Sequence, residues 1–139
     1  MRRRRDPRGQ SLVEFSFAII IFLTVFVGIV DMARGVFTFN GVSEAAREIT
    51  RETSVHPGTG AIGTSPQTAA MVDIQRKLVQ GLSVTSYTCV DLAGSPVAGS
   101  CKPGDWVRVR VQARFYPVLP LLAALGPIVL SSVSSAEIQ

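Results

Sequence analysis

The feature that most limits how this chain can fold is a nearly unbroken apolar run from Leu12 to Val30. An α-helix needs about 20 consecutive apolar residues to cross the hydrocarbon core of a bilayer, so the run predicts one membrane-spanning helix. A single carboxylate, Glu14, lies near the beginning of the run. Because an acidic side chain in hydrocarbon is costly and usually has a partner, Glu14 needs a physical explanation.

The basic character of the chain is local. The formal net charge is +4, and residues 1–9 account for all of it, since five arginines and Asp6 sum to +4 while the other nine basic and nine acidic residues cancel. Basic residues beside a membrane span mark its cytoplasmic side. The arginines therefore predict a cytoplasmic N-terminus and an exported remainder. A nucleic-acid partner is the competing interpretation of such a cluster, and the membrane span that follows a few residues later disfavours it.

The two cysteines, Cys89 and Cys101, both lie on the side expected to be exported. In an oxidising compartment they predict one disulfide that closes a short glycine- and serine-containing loop, with two free thiols as the alternative. A zinc site is disfavoured because no further cysteine or histidine lies near them. No metal or other cofactor is expected.

The residues around Glu14 resemble a known processing signal. Gly9 followed by Gln10-Ser11-Leu12-Val13-Glu14-Phe15, between the arginines and the apolar run, is similar to the class III signal of type IV pilin-like proteins. The resemblance implies cleavage after Gly9 by a prepilin peptidase, a new N-terminus at Gln10, and assembly roles for Glu14 and Phe15. A neighbouring subunit's free amine could pair with Glu14 in low dielectric and fix the register of two parallel helices. The alternative is that Glu14 simply reaches the interface.

The helix is expected to continue beyond the apolar run to about Glu52, with a kink or a straight passage at Asn40-Gly41. Three pairs spaced i,i+3 lie on this part of the helix: Asp31–Arg34, Glu44–Arg47 and Glu48–Arg51. For these charges, a solvated helix face with weak local ion pairs and a role in assembly remain alternatives.

A wider set of residues resembles one family. The set comprises Gln10 with Val13-Glu14-Phe15, Asp31 and Arg34, Phe37-x-Phe39-Asn40, and Ala45-Ala46-Arg47-Glu48 with Arg51. Together they resemble the TadE-like family, minor pilins or pseudopilins of the tight-adherence (Tad/Flp) pilus, closely over residues 9–52. The resemblance implies other pilin or pseudopilin subunits, the pilus assembly platform and membrane lipid as partners, and a part in cell adhesion.

The exported part is predicted to contain a helix and three strands. Ser65 as N-cap, Pro66 at the first helical position and Gly81 as a stop indicate an amphipathic helix that covers the sheet, with Met71, Ile74 and Leu78 on its buried face. Strands are predicted at residues 82–90, 106–115 and 128–138, the second from strict alternation of apolar residues with arginine and glutamine. Its arginine face is either solvated or a surface for an acidic partner or lipid headgroups.

These elements predict an α+β fold: a long N-terminal helix, a second helix and a small antiparallel sheet of about three strands. The expected divisions are a leader at 1–9, a transmembrane and assembly helix at 10–52, a loop at 53–66 and an exported head at 67–139. Between the last two strands, prolines exclude a second spanning helix. Packing of residues 118–125 in the core is favoured over a helical turn under the sheet or an apolar lip at the membrane or on a partner.

No catalytic constellation is visible. His56 is the only histidine, and it is interpreted as a loop residue without a carboxylate placed to act with it. The sequence therefore predicts a non-enzymatic minor pilin or pseudopilin in a bacterial cytoplasmic membrane, with one membrane pass. The alternative is an unprocessed single-pass protein whose outer domain binds a ligand or partner; a membrane-tethered hydrolase is a third hypothesis.

Overall fold

The computed structural model describes residues 7–58, 60–97, 101–124 and 126–139, so most of the predicted leader lies outside the described residues. The elements in chain order are α1 Pro7–Val55, α2 Pro66–Leu78, β1 Ser83–Val90, β2 Trp106–Phe115, α3 Pro120–Ala123 and β3 Ile128–Glu137. The α+β prediction is confirmed.

Helix α1 is a single unbroken helix of 49 residues, about 73 Å long at the standard rise per residue. It continues through Asn40-Gly41. Among the described residues it is the one helix long and apolar enough to cross a membrane, with an 18-residue window of mean hydropathy 2.6 that is wholly unburied. Inside this segment the hydroxyls of Ser16 and Thr24 donate to the carbonyls of Leu12 and Ile20, so the helix satisfies its own polar groups.

The three strands form one antiparallel sheet in the order β1-β2-β3. Alternate residues of the central strand are fully buried and face α1, namely Val107, Val109, Val111 and Ala113. Helix α1 packs across β2 and β3 and contributes the fully or almost fully buried residues Val42, Ala45, Ala46 and Ile49. We call α2, α3 and the sheet the head. The second half of α1 packs against the head and completes its core.

Helix α2 begins as predicted, since the Ser65 hydroxyl accepts a hydrogen bond from the Thr68 amide at 3.1 Å. Its predicted buried face is wrong for Ile74 and Leu78, although Met71 is partly buried against the core. Ile74 and Leu78 are 50% and 71% exposed, whereas the buried positions are Thr68, Val72 and Gln75. The reason is that α2 packs along α1 and not on the sheet, and its contact face includes polar side chains that have partners of their own.

Two glycines allow other segments to approach the head closely. A Cβ on Gly41 of α1 would lie 2.9 Å from Cγ2 of Val79, at the end of α2. Gly63 has a φ of +81°, and a Cβ there would lie 2.6 Å from the ring of Tyr87. The covering loop partly buries this ring, and burial raises the pKa of Tyr87, while the positive charge of Arg76 opposes the shift.

A disulfide joins Cys89 to Cys101, with their Cα atoms 5.8 Å apart. It links the end of β1 to the segment that leads into β2, at the end of the sheet where Cys89 pairs with Val107. The other end of the sheet, where Phe115 pairs with Ile128, is the end that the connector between β2 and β3 closes.

In the connector, residues 116–127, the one element among the described residues is the short helix α3. The favoured prediction of core packing is wrong for Val118, which is 64% exposed, and for the exposed Ala123 and Ala124; Leu125 lies outside the described residues. Pro117, in contrast, is buried. The connector lies on the surface, where the amides of Val118 and Leu119 are bonded to the Asp31 carboxylate of α1 and the Val118 side chain points away from the core.

Candidate functional site

A buried carboxylate on α1 holds the connector. Asp31 is the first charged residue after the apolar run, and its side chain is only 3% exposed. Its Oδ2 accepts hydrogen bonds from the backbone amides of Val118 and Leu119 at 2.8 and 2.7 Å. Its Oδ1 accepts one from Arg34 at 3.0 Å. Three bonds to an ionised acceptor are stronger than neutral hydrogen bonds and account for the burial of this charge.

The sequence of the connector leaves these two amides available. Prolines have no amide hydrogen, and Val118 and Leu119 lie between Pro117 and Pro120. Leu119 is the N-cap of α3 and provides no side-chain cap. The amides at the beginning of the turn therefore need an acceptor from elsewhere, and Asp31 supplies it across the fold.

Arg34 joins the same site to the end of the sheet. Its guanidinium lies 5.6 Å from the ring centroid of Phe115, the last residue of β2, and its side chain is 49% exposed. The Phe115 ring also lies against Gly35, 3.8 Å from a Cβ placed there. We call the group Asp31, Arg34, Phe115, Val118 and Leu119 the Asp31 clamp.

The clamp tests one of the two interpretations of the charges on α1, the solvated helix face; a role in assembly stays a prediction. A solvated helix face is wrong for Asp31, which is buried, but it describes Glu44–Arg47, an exposed pair at 3.8 Å. No ion pair joins Glu48 to Arg51, both of which the structure describes.

Two apolar grooves flank Phe115. One, of about 480 Å³, lies between α1, the end of α2 and β2, and its lining includes Arg34, Phe37, Leu78, Arg114 and Tyr116. The other, of about 410 Å³, lies on the opposite side, and its lining includes Gly28, Asp31, Met32, Leu122 and Ile128. Both grooves are therefore lined in part by residues of the Asp31 clamp.

The residues predicted for processing and assembly lie far along α1 from this clamp. Gly9 and Gln10 are exposed in the first turns of the helix, and Phe15 is 66% exposed. Glu14 accepts a hydrogen bond from the Gln10 side-chain amide at 3.2 Å. Cleavage after Gly9 and pairing of Glu14 with a neighbouring chain stay predictions.

Other candidate residues have simple surroundings. His56 has a carboxylate partner after all, Glu52, at 2.9 Å, one helical turn earlier. In the described ranges no group of three histidine, cysteine or acidic side chains could hold a metal ion. Arg108, Arg110 and Arg114 are exposed on the outer face of β2, and none forms an ion pair with a described residue.

The architecture defines a membrane-associated α+β protein whose small head is built on the second half of its own N-terminal helix. Residues 9–51 match the family model described as TadE-like protein, which confirms the resemblance found in the sequence. The match covers just under a third of the chain and includes Asp31 and Arg34. It indicates a membrane protein associated with a Tad pilus. Neither the curated proteins nor the solved structures give a match to this chain.

Proposed function

We propose that the protein is a minor pilin or pseudopilin that a prepilin peptidase cuts after Gly9 and that joins a Tad/Flp-type pilus through α1. The observation that carries the proposal is the position of Glu14, an exposed carboxylate inside an unburied apolar helix, five residues after Gly9. Its partner within the described helix is a neutral amide, so its charge is not compensated by that contact.

Cleavage would provide the missing positive charge. A new α-ammonium at Gln10 would lie about one helical turn from Glu14 along the axis. On a parallel neighbour shifted by that distance, the two groups would meet. Burying one charge alone costs several kcal/mol, and pairing offsets much of it, so only the correct axial shift would be tolerated. The arginines before Gly9 would hold the N-terminus in the cytoplasm and leave the head outside after a single pass.

Processing is tested by the mass of the mature chain. When the protein is expressed with its cognate prepilin peptidase, its intact mass should equal that of a chain that begins at Gln10. The Gly9→Val variant should have the mass of the chain with its leader. Gly28→Ala is the matched control, because a Cβ at Gly28 meets nothing within 4 Å, and it should be processed normally. Wild-type protein that keeps Met1 beside an active peptidase would contradict the proposal.

Assembly is tested separately at Glu14. Glu14→Gln preserves size and removes the charge, so cleavage should continue while incorporation into pili, measured by immunoblot of sheared filaments, falls strongly. Glu44→Gln removes an exposed charge of α1 and should assemble like the wild type. Normal incorporation of Glu14→Gln would remove the pairing argument and leave processing intact.

The second candidate is an unprocessed single-pass protein whose outer domain binds a partner. The unpaired arginines on the exposed face of β2 favour it, because such a surface is complementary to an acidic molecule. The mature N-terminus separates the two candidates, since only this one keeps Met1.

A further inference from the structure

The connector lies beside α1 at the level where the apolar run ends. The backbone amides of Val118 and Leu119 are bonded to Asp31, the first charged residue beyond the run. Leu122 lines the same groove as Gly28, which is still inside the run. The connector therefore extends from the end of the run toward its interior.

At this level the connector and the first two residues of β3 expose apolar side chains at the end of the sheet. Tyr116, Val118, Ile128 and Val129 are 61%, 64%, 43% and 55% exposed. The sequence has no charged residue between Arg114 and Glu137. A cluster of exposed apolar side chains at one end of a small domain indicates a surface that something else covers.

The length of the run fixes where a bilayer would end. From Leu12 to Val30 the helix rises about 28 Å, close to the roughly 30 Å of a hydrocarbon core. If α1 crosses the membrane as the proposed function requires, the outer boundary falls at Val30 and Asp31. That boundary is the level of the connector.

We infer that this surface, which we call the rim and define as Tyr116, Val118, Ile128 and Val129, rests in the outer interface of the bilayer that α1 crosses. The inference rests on the membrane insertion in the proposed function. We assign phospholipid as its occupant, because Ile128 of the rim lines one groove with Gly28 and Met32 of α1 and because Ile29, Val30 and Met32 are themselves exposed apolar residues.

The residues around the rim suit such a position. A tyrosine places an apolar ring in the interface and its hydroxyl toward water, as Tyr116 would. Arg34 and Arg114 line the groove beside Tyr116, where their stems can follow apolar surface while their guanidinium groups stay with the headgroups. The connector also covers Asp31, so the carboxylate is kept from the lipid by the amides that bind it.

The test uses the full chain in phosphatidylcholine vesicles, with a single tryptophan at chosen positions in a Trp106→Phe background. With Val118→Trp, emission should shift to the blue and be largely lost to lipids spin-labelled near the glycerol backbone. Val133→Trp is the matched control: Val133 is 46% exposed on β3 and lies five residues, about 16 Å, beyond Ile128. It should respond to aqueous iodide and not to labelled lipid.

Phe22→Trp, in the middle of the apolar run, reports on the span itself through lipids labelled deep in the acyl chain. If labelled lipid quenches Phe22→Trp while aqueous iodide quenches Val118→Trp, the lipid contact of the rim is overturned and the membrane span stands. Loss of lipid quenching at both positions would instead reject the membrane insertion of the proposed function. A Val118→Trp shielded from both iodide and labelled lipid would mean that protein covers the rim, which also overturns the lipid assignment.

Discussion

At the scale of single residues, Asp31 is the side chain whose role the sequence could not give. Its spacing from Arg34 is that of an ordinary surface pair, worth a few tenths of a kcal/mol. The partners that bury it are backbone amides 87 and 88 residues further along the chain, and backbone groups leave no side-chain signal. The available hint was indirect: two prolines that bracket two amides needing an acceptor.

Replacing Asp31 should weaken the head strongly. Asp31→Ala leaves two amides and part of a guanidinium without their acceptor, and we expect the free energy of unfolding to fall by about 3–5 kcal/mol. Asp31→Asn keeps one carbonyl oxygen and should lose less. The measurement is denaturant unfolding in mild detergent, followed by near-UV circular dichroism.

The control is Asp73→Ala, which removes an exposed carboxylate that also pairs i,i+3 with an arginine, at 3.3 Å. It should change stability by no more than about 0.5 kcal/mol. A loss in Asp31→Ala as small as this would show that the clamp does not hold the connector.

At the scale of elements, β2 was predicted to the residue, because strict alternation has one structural meaning when one face of a sheet is buried. The position of α2 was also predictable from its cap. Its buried face was not, because Thr68 and Gln75 are polar and the stripe of buried apolar residues is interrupted. Periodicity finds a helix, but a contact face that contains satisfied polar groups hides its orientation.

The crossing of α1 and α2 should depend on Gly41. Alanine gains up to about 1 kcal/mol of helix propensity over glycine, but a Cβ 2.9 Å from the stiff Val79 side chain should cost about 1–3 kcal/mol. We expect Gly41→Ala to lower the midpoint of thermal unfolding. Gly35→Ala, which meets the Phe115 ring at an ordinary 3.8 Å, should leave it unchanged or raise it. Equal behaviour of the two variants would argue against a close crossing at Gly41.

At the scale of the whole molecule, the first half of α1 is the exposed apolar segment and its second half packs into the core. Val42, Ala45 and Ile49 are fully buried against the head, and the Gln139 amide donates to the Ser54 carbonyl at 3.3 Å. The run of apolar residues predicted the first part of this helix. The sequence did not show that the second part covers one face of the sheet, because Ala45 and Ala46 also suit a helix–helix contact.

The head should therefore not fold without the second half of α1. A chain of residues 31–139 keeps the clamp and the core and should unfold cooperatively, whereas residues 60–139 lose Val42 and Ile49, each worth about 1.5–3 kcal/mol of burial. Near-UV circular dichroism during heating distinguishes them. A sharp transition in the shorter chain would show that the sheet and α2 are sufficient.

The unbroken course of α1 has a mechanical consequence. Because α1 has no break that could act as a hinge, a rotation of its apolar half about the helix axis rotates the head by the same angle. Successive residues of the helix differ in direction by about 100°. A partner that binds the N-terminal half of α1 in one rotational orientation therefore also fixes the direction in which the arginine-bearing face of the sheet points.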